Sequence, residues 1–196
     1  MLTQTHLQQL QLLWQQGEQF DASHSERREK RLNITPDTGK FLYQLSRSRR
    51  ARTVLEIGTS NGFSTVWLAL AAKAHKGRVF TIDVSAHKTA LAHATLEAFG
   101  VSDVVDARTG DAFSLLADAD DESVDMLFLD ADRARYAGYW PEITRIMAPG
   151  GLVVMDNAVS HAAECADFIA AVLATHGYLA ETYPIGKGQF VILKDL

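Results

Sequence analysis

Thr53-Val54-Leu55-Glu56-Ile57-Gly58-Thr59-Ser60-Asn61-Gly62-Phe63-Ser64-Thr65 reads as a buried strand, a tight glycine-bounded loop and the first turn of a helix. Val54, Leu55 and Ile57 suit a strand covered on both faces. Gly58 and Gly62 let the backbone turn sharply and approach a ligand with no Cβ in the way. From Phe63 the residues Val66, Trp67, Leu68, Leu70 and Ala71 take helical spacing, so the loop ends at a helix N-terminus with unpaired N–H groups. Strand, loop and helix start together form a nucleotide-binding turn, although EIGTSNG departs from the G-x-G-x-x-G dinucleotide fingerprint.

Upstream, residues 3–20 carry Leu7, Leu10, Leu13 and Trp14 at helical intervals, and a second, more charged helical piece is expected over Ser25–Arg31. Thr35-Pro36-Asp37-Thr38 starts a further helix, with Thr35 as N-cap and Phe41, Leu42 and Leu45 as its buried stripe. Downstream, Arg78–Asp83, Val104–Arg108, Val124–Asp130 and Leu152–Met155 read as strands, the last introduced by the turn Pro149-Gly150-Gly151. Helices over Ala86–Phe99, Ala112–Leu116, Ala134–Met147 and His161–Thr175 alternate with them. Tyr178–Tyr183 and Gln189–Leu193 close the chain as a hairpin around Pro184–Gly188. The alternation predicts a mostly parallel α/β sheet with right-handed crossovers and ligand sites at the carboxyl ends of the strands.

With 196 residues and 47% hydrophobic content, one domain is expected over 1–196, a helical segment 1–50 leading into an α/β core 51–196. The net charge of −5 argues against nucleic acid as the main partner, although the basic residues cluster before the first strand. The single cysteine, Cys165, excludes an intramolecular disulfide and falls in a helical pattern with Phe168, Ile169 and Val172, as a small core residue. MLTQTHLQQLQLLWQQ is too polar for a signal peptide or membrane span, so a cytoplasmic location is expected.

Four strand ends carry polar groups where such a sheet binds ligands: Glu56-Ile57-Gly58, Asp83, Asp130-Ala131-Asp132 and Asp156-Asn157. Asp83 is placed to accept hydrogen bonds from both ribose hydroxyls of a nucleoside, or else caps its strand. Asp156-Asn157 by itself is also consistent with a turn or helix cap.

Read in order, the loop, Asp83, Gly110-Asp111-Ala112, FLDADRARY and Asp156-Asn157 resemble the cation-dependent O-methyltransferases that use S-adenosylmethionine, a family that includes catechol and caffeoyl-CoA O-methyltransferases. The resemblance runs from about Ile34 to the C-terminus. It implies a Rossmann-like class I methyltransferase fold with a mostly parallel sheet, a C-terminal antiparallel hairpin strand and N-terminal helices. By the same resemblance Glu56, Gly58 and Ser64 contact the methionine end of the cofactor, Asp83 its ribose, Ala112 its adenine and Asp132 its amino group, with Ile34 a further cofactor-side residue. Asp130, Asp156 and Asn157 are implied as ligands of Mg²⁺ or another hard divalent cation, a role that two carboxylates and an amide oxygen suit chemically. The implied reaction is methylation of a small, aromatic vicinal diol by a homodimeric enzyme. Methylation of a hydroxylated tRNA nucleoside and binding of S-adenosylmethionine without turnover are the alternatives.

One residue departs from the family pattern. Where the family usually reads Asp-Ala-Asp-Lys, with the lysine as candidate base, this chain has Arg133, and a guanidinium stays charged at accessible pH. Either the metal alone acidifies the nucleophile, or another residue takes the proton, or the acceptor differs from a catechol. Arg133 itself holds an anionic acceptor or stabilises an oxyanion, or is a surface charge on the next helix. His161 is a candidate replacement base, against a capping role. Tyr136, Tyr139 and Trp140 read as helix-packing residues more readily than as a substrate wall.

Overall fold

A computed structural model of the chain describes residues 2–195. Helix α1 (Gln4–Ala22) starts at a capping box in which Thr3 and His6 exchange side-chain and backbone hydrogen bonds. Helix α2 (Pro36–Arg49) has Thr35 as N-cap, its hydroxyl accepting from Thr38 N, and Pro36 at the first position, where no intrahelical N–H is needed. Then come β1 (Thr53–Ile57), α3 (Phe63–Lys73), β2 (Arg78–Asp83), α4 (Ala86–Ala98), β3 (Val105–Thr109), α5 (Ala112–Asp118) and β4 (Val124–Leu129). The chain ends with α6 (Tyr136–Ile146), β5 (Met147–Met155), α7 (Ala162–Leu173), β6 (Tyr178–Tyr183) and β7 (Gln189–Lys194).

The seven strands lie in the order β3-β2-β1-β4-β5-β7-β6. The first five run parallel, and β7 pairs antiparallel with both β5 and β6. The expected mostly parallel sheet with an antiparallel C-terminal hairpin is therefore present. Its order reverses between β1 and β4, so the loops leaving these two strands diverge and open a crevice at their carboxyl ends. Two apolar layers hold the sheet. Leu55, Leu127 and Val153 face Tyr139, Trp140 and Phe168 on one side, and Val54, Met126 and Val154 face Leu42, Phe63 and Trp67 on the other. Burial on both faces explains why β1 and β4 read as nearly continuous apolar runs.

Two expectations are corrected. The helical piece over Ser25–Arg31 is a short turn at residues 27–29 followed by extended chain. The run has no apolar stripe to bury, and the Asp21 carboxylate captures the N–H groups of Arg31 (2.7 Å) and Leu32 (2.8 Å), with Leu32 at a φ of +52°. The Pro149-Gly150-Gly151 turn does not precede β5 but lies inside it as an irregularity: Val124 pairs with Met147, whereas Met126 pairs with Leu152.

Gly58, at a φ of +106°, is the tightest point of the frame, because a Cβ there would lie 2.2 Å from the carbonyl oxygen of Asp130. Gly58→Ala is expected to destabilise the fold by about 3 kcal/mol or more. Gly138→Ala, on α6 with nothing within 4 Å of the added Cβ, is expected to stabilise it by about 0.5–1 kcal/mol. Urea midpoints of the two variants check both signs.

Candidate functional site

The crevice between the β1 and β4 ends is a cavity of about 640 Å³. Ile34, Gly58, Ser64, Asp83, Ala112 and Asp132, all anticipated as cofactor-side residues, line it. The β1–α3 loop is pinned rather than free: Ser60 N donates to one oxygen of Asp83 (2.9 Å) and Ser85 N to the other (2.9 Å). These bonds orient the Asp83 carboxylate at the cavity wall while leaving lone pairs for further donors. Asn61 also lines the cavity, and although only 1% exposed, neither atom of its amide has a hydrogen-bond partner. A buried amide left without partners is costly unless a ligand completes it. The open loop, the ribose-competent Asp83 and this orphaned amide fit a nucleoside-containing cofactor.

Glu56 is differently placed. It is fully buried and not among the residues lining the cavity, and its carboxyl accepts from the hydroxyls of Ser64 (2.6 Å), Thr65 (2.5 Å) and Thr81 (2.7 Å). Burial disfavours its charged form more than the three hydroxyls support it, so its pKa rises to about 7. Through Ser64, which does line the cavity, Glu56 touches the site at one remove.

Across the crevice, Asp130, Asp156 and Asn157 come together at the ends of β4 and β5. Asn157, at a φ of +70°, donates from Nδ2 to Asp130 (3.0 Å) and to Asp156 (3.2 Å), so an N–H₂ group bridges two carboxylates. Burial raises the pKa of both acids, and the charge of Asp156 raises that of Asp130 further. Turning the Asn157 amide over would point Oδ1 at the same spot, and the Ser160 hydroxyl, which now donates to Oδ1 at 3.2 Å, can equally accept from Nδ2. Two carboxylates and an amide oxygen then make an all-oxygen donor set of the kind hard divalent cations take. Among the described residues no group of three His, Cys, Asp or Glu side chains is arranged for a metal, so the third protein donor would be this amide.

The β6–β7 hairpin supplies what the motifs did not announce. Gln189, completely buried, donates from Nε2 to Asp156, Thr38 and Ile185 O. Its Nε2 must face Asp156, because the reverse orientation would set oxygen against oxygen. The backbone of Lys187 accepts from Val159 N and Ser160 N, so the hairpin turn is tied to the segment after Asn157. The Lys187 side chain lines the cavity, and its charge favours the ionised form of Asp130 and Asp156. A lone Gln and Lys in a hairpin carry no spacing signal; only the antiparallel pairing of β7 with β5 brings them here.

Arg133 is a buried cavity residue rather than a surface charge: its side chain is 6% exposed, and Nε and Nη2 both donate to Oε2 of Glu164, at 2.9 and 2.7 Å. This guanidinium holds the Glu164 carboxyl below its usual range. His161 stands on the cavity wall as the N-cap residue of α7, making no side-chain cap bond, with Nδ1 against the Ser160 hydroxyl at 2.9 Å. Tyr136 and Trp140 pack edge-on against Phe168 as helix-packing residues, and the Tyr136 hydroxyl accepts from Ala131 N, fixing the turn between Asp130 and Asp132. Tyr139 does both jobs, buried and on the cavity wall. Cys165 is buried in the core, as its pattern indicates.

A family model described as O-methyltransferase matches residues 12–168. A catechol O-methyltransferase of Niastella koreensis is 34% identical over 131 residues, covering 65% of this chain and 59% of that protein. A catechol O-methyltransferase of Mycobacterium tuberculosis is 36% identical over 129 residues, covering 66% and 58%. The match thus spans less than three fifths of the length of these relatives. Among solved structures, the O-methyltransferase from Bacillus cereus in complex with SAH superposes with a TM-score of 0.80 at 25% identity, covering 100% of this chain and 93% of that one. The O-methyltransferase TomG from Streptomyces achromogenes, in complex with SAM, gives 0.80 at 27% identity over 95% and 89%. Among the described residues no helix is long and apolar enough to cross a membrane.

Glu56 makes a testable contribution to stability. Its folded pKa of about 7 lies above the ordinary glutamate value of 4.5, so between these pH values the folded chain binds more protons than the unfolded one. Stability is therefore complete below pH 4.5 and declines as pH rises to 7, by roughly 3 kcal/mol from this group. Glu56→Gln is expected to match the parent at pH 5 and to exceed it at pH 8, measured as urea midpoints at the two pH values.

Proposed function

The chain belongs to the O-methyltransferase family, and on that premise we propose that it transfers a methyl group from S-adenosylmethionine to a hydroxyl of a small aromatic vicinal diol, assisted by a divalent metal ion. The observation that carries this reading is one cavity in which the β1–α3 loop with Asp83 stands opposite Asp130 and Asn157. One wall suits a nucleoside, the other a pair of hydroxyls. Gly58 lets the two walls approach, since its backbone lies directly against that of Asp130.

In this reading Asp83 takes the ribose hydroxyls, Ala112 borders the adenine, and Gly58, Ser64, Asp132 and Ile34 border the remainder of the methyl donor. Glu56 acts by holding Ser64 in place. Asp130, Asp156 and Asn157 would hold the metal ion, which would supply Lewis acidity that lowers the acceptor hydroxyl's pKa. A hard dication such as Mg²⁺ matches the donor set. Gln189 keeps Asp156 aimed, and Arg133 and Lys187 add positive charge that favours the ionised acceptor. Arg133 cannot remove the proton. His161 can, because Nε2 has no partner among the described residues. Holding acceptor and donor in one geometry supplies much of the rate, of order 7–11 kcal/mol for well-oriented reactants.

Calorimetry with S-adenosylmethionine and Mg²⁺, followed by methyl-transfer assays on catechols, tests the reading. Asp130→Ala is expected to lower kcat/KM by about 100-fold or more and to abolish any effect of chelators. Full activity of Asp130→Ala would end the metal-assisted reading, and donor binding without turnover of any hydroxylated acceptor would leave a binding protein. His161→Ala is expected to lower kcat by about 10²-fold with donor binding intact.

A further inference from the structure

The cavity is more basic than the molecule that contains it. In a chain of net charge −5, seven Lys or Arg side chains line this cavity against four Asp or Glu. Some of these charges are already answered. Asp83 accepts from two backbone N–H groups, Glu164 clamps Arg133, Arg135 pairs with Asp111 at 2.6 Å, and the Arg31 guanidinium lies over the Phe20 ring at 4.4 Å. Arg27, Arg28, Lys88 and Lys187 remain, and among the described residues none has a carboxylate within 4.0 Å.

Lys88 stands in the first turn of α4, whose N-cap Ser85 donates to Asp83, and so belongs to the donor side. Lys187 and Arg27 act on acids of the acceptor side, and Arg28 adjoins Arg27 on the cavity wall. Lys187 acts on Asp130 and Asp156, and Arg27 lies near enough to Glu164 to help depress its carboxyl. Arg133 is fastened to Glu164, and both line the same cavity as Asp130, Lys187, Arg27 and Arg28. The arginines are carried by the segment 23–35, which is fastened over the cavity. Asp21 holds Arg31 N and Leu32 N, the Ser60 hydroxyl donates to Arg31 O at 2.6 Å, and Lys187 Nζ donates to Asn33 O at 3.4 Å. A surface charge run would not need such fixing to the substrate loop.

Resting on the methyl-transfer reading, we propose that the acceptor is an acidic diol, a vicinal dihydroxy compound carrying a carboxylate, whose acid group is bound by Arg27 and Arg28 while its hydroxyls face Asp130. Arginine suits the task because its planar fork matches a carboxylate. Lys187 and Arg133, nearer the reacting oxygen, stabilise the second negative charge that forms there when the hydroxyl ionises. The site favours an acceptor that is anionic before it reacts and more so as it reacts. This gives Arg133 a purpose in the position where a base is absent, since positive charge favours ionisation without accepting the proton.

The test compares 3,4-dihydroxybenzoate, catechol and dopamine as acceptors with the full chain, at low and high salt, alongside calorimetric binding of the three in the presence of S-adenosylhomocysteine and Mg²⁺. The expected result is a kcat/KM for the acid at least tenfold above catechol and higher still above dopamine, with the advantage shrinking as salt rises. Replacing both arginines, Arg27→Gln with Arg28→Gln, is expected to cut the acid-over-catechol ratio about tenfold through KM. Equal use of the three diols, or an arginine double variant that weakens all three alike, overturns the proposal while leaving methyl transfer intact. If none is methylated, the methyl-transfer reading fails for these diols and calorimetry alone decides: selective binding of the acid that the double variant loses supports an acid-reading site, and indifferent binding refutes it.

Discussion

At Gly58 the chain leaving β1 comes into contact with the backbone of Asp130 leaving β4, and the rest of the site is built around that approach. The two strands are neighbours in a parallel sheet whose order reverses between them, so their loops are forced apart just beyond this point. A residue with a Cβ would push β1 and β4 apart and with them the loop that carries Ser60 and the segment that carries Asp130. The absence of one side chain sets how far the donor wall stands from the acceptor wall. Reaction between two bound molecules depends on that spacing more than on any single polar contact.

The polar groups around this contact form a layered set of constraints. The hydroxyls of Ser64, Thr65 and Thr81 surround Glu56 behind the donor wall, and Thr38 with Gln189 reaches Asp156 behind the acceptor wall. Each buried carboxyl is thus held by groups from other elements, so the geometry of the walls is fixed by helices α2 and α3 and the terminal hairpin as well as by the strands. Such networks are costly when incomplete, and here most members have partners; the amides of Asn33 and Asn61 and Oε1 of Gln189 stand out because they do not.

Much of the frame was legible in the sequence because it rests on short-range physics. The apolar runs of β1 and β4, the Thr35-Pro36 helix start and the Tyr178–Leu193 hairpin each have a local cause, and each is found at the place its cause dictates. The charged run at Ser25–Arg31 misled because helical periodicity without an apolar face has nothing to bury, and a single distant carboxylate, Asp21, then decided the path. In the cavity, the strand-end acids could be gathered from sequence because parallel topology sends strand ends to one edge. Gln189 and Lys187 could not, since they arrive through the antiparallel pairing of the last strand. The inward burial of Glu56 was hidden too, because which face of β1 meets hydroxyls depends on how α3 and β2 pack against it.

The segment 23–35 is fastened at one point to the donor loop, through Ser60 and Arg31, and at another to the hairpin beside the acceptor, through Asn33 and Lys187. It therefore roofs both halves of the cavity with one piece of chain. The two sides of the cavity are coupled as a result, since a shift of this one stretch alters the loop side and the hairpin side together. The same few hydrogen bonds therefore set the shape of both halves of the cavity, through a stretch of chain that precedes every strand of the sheet.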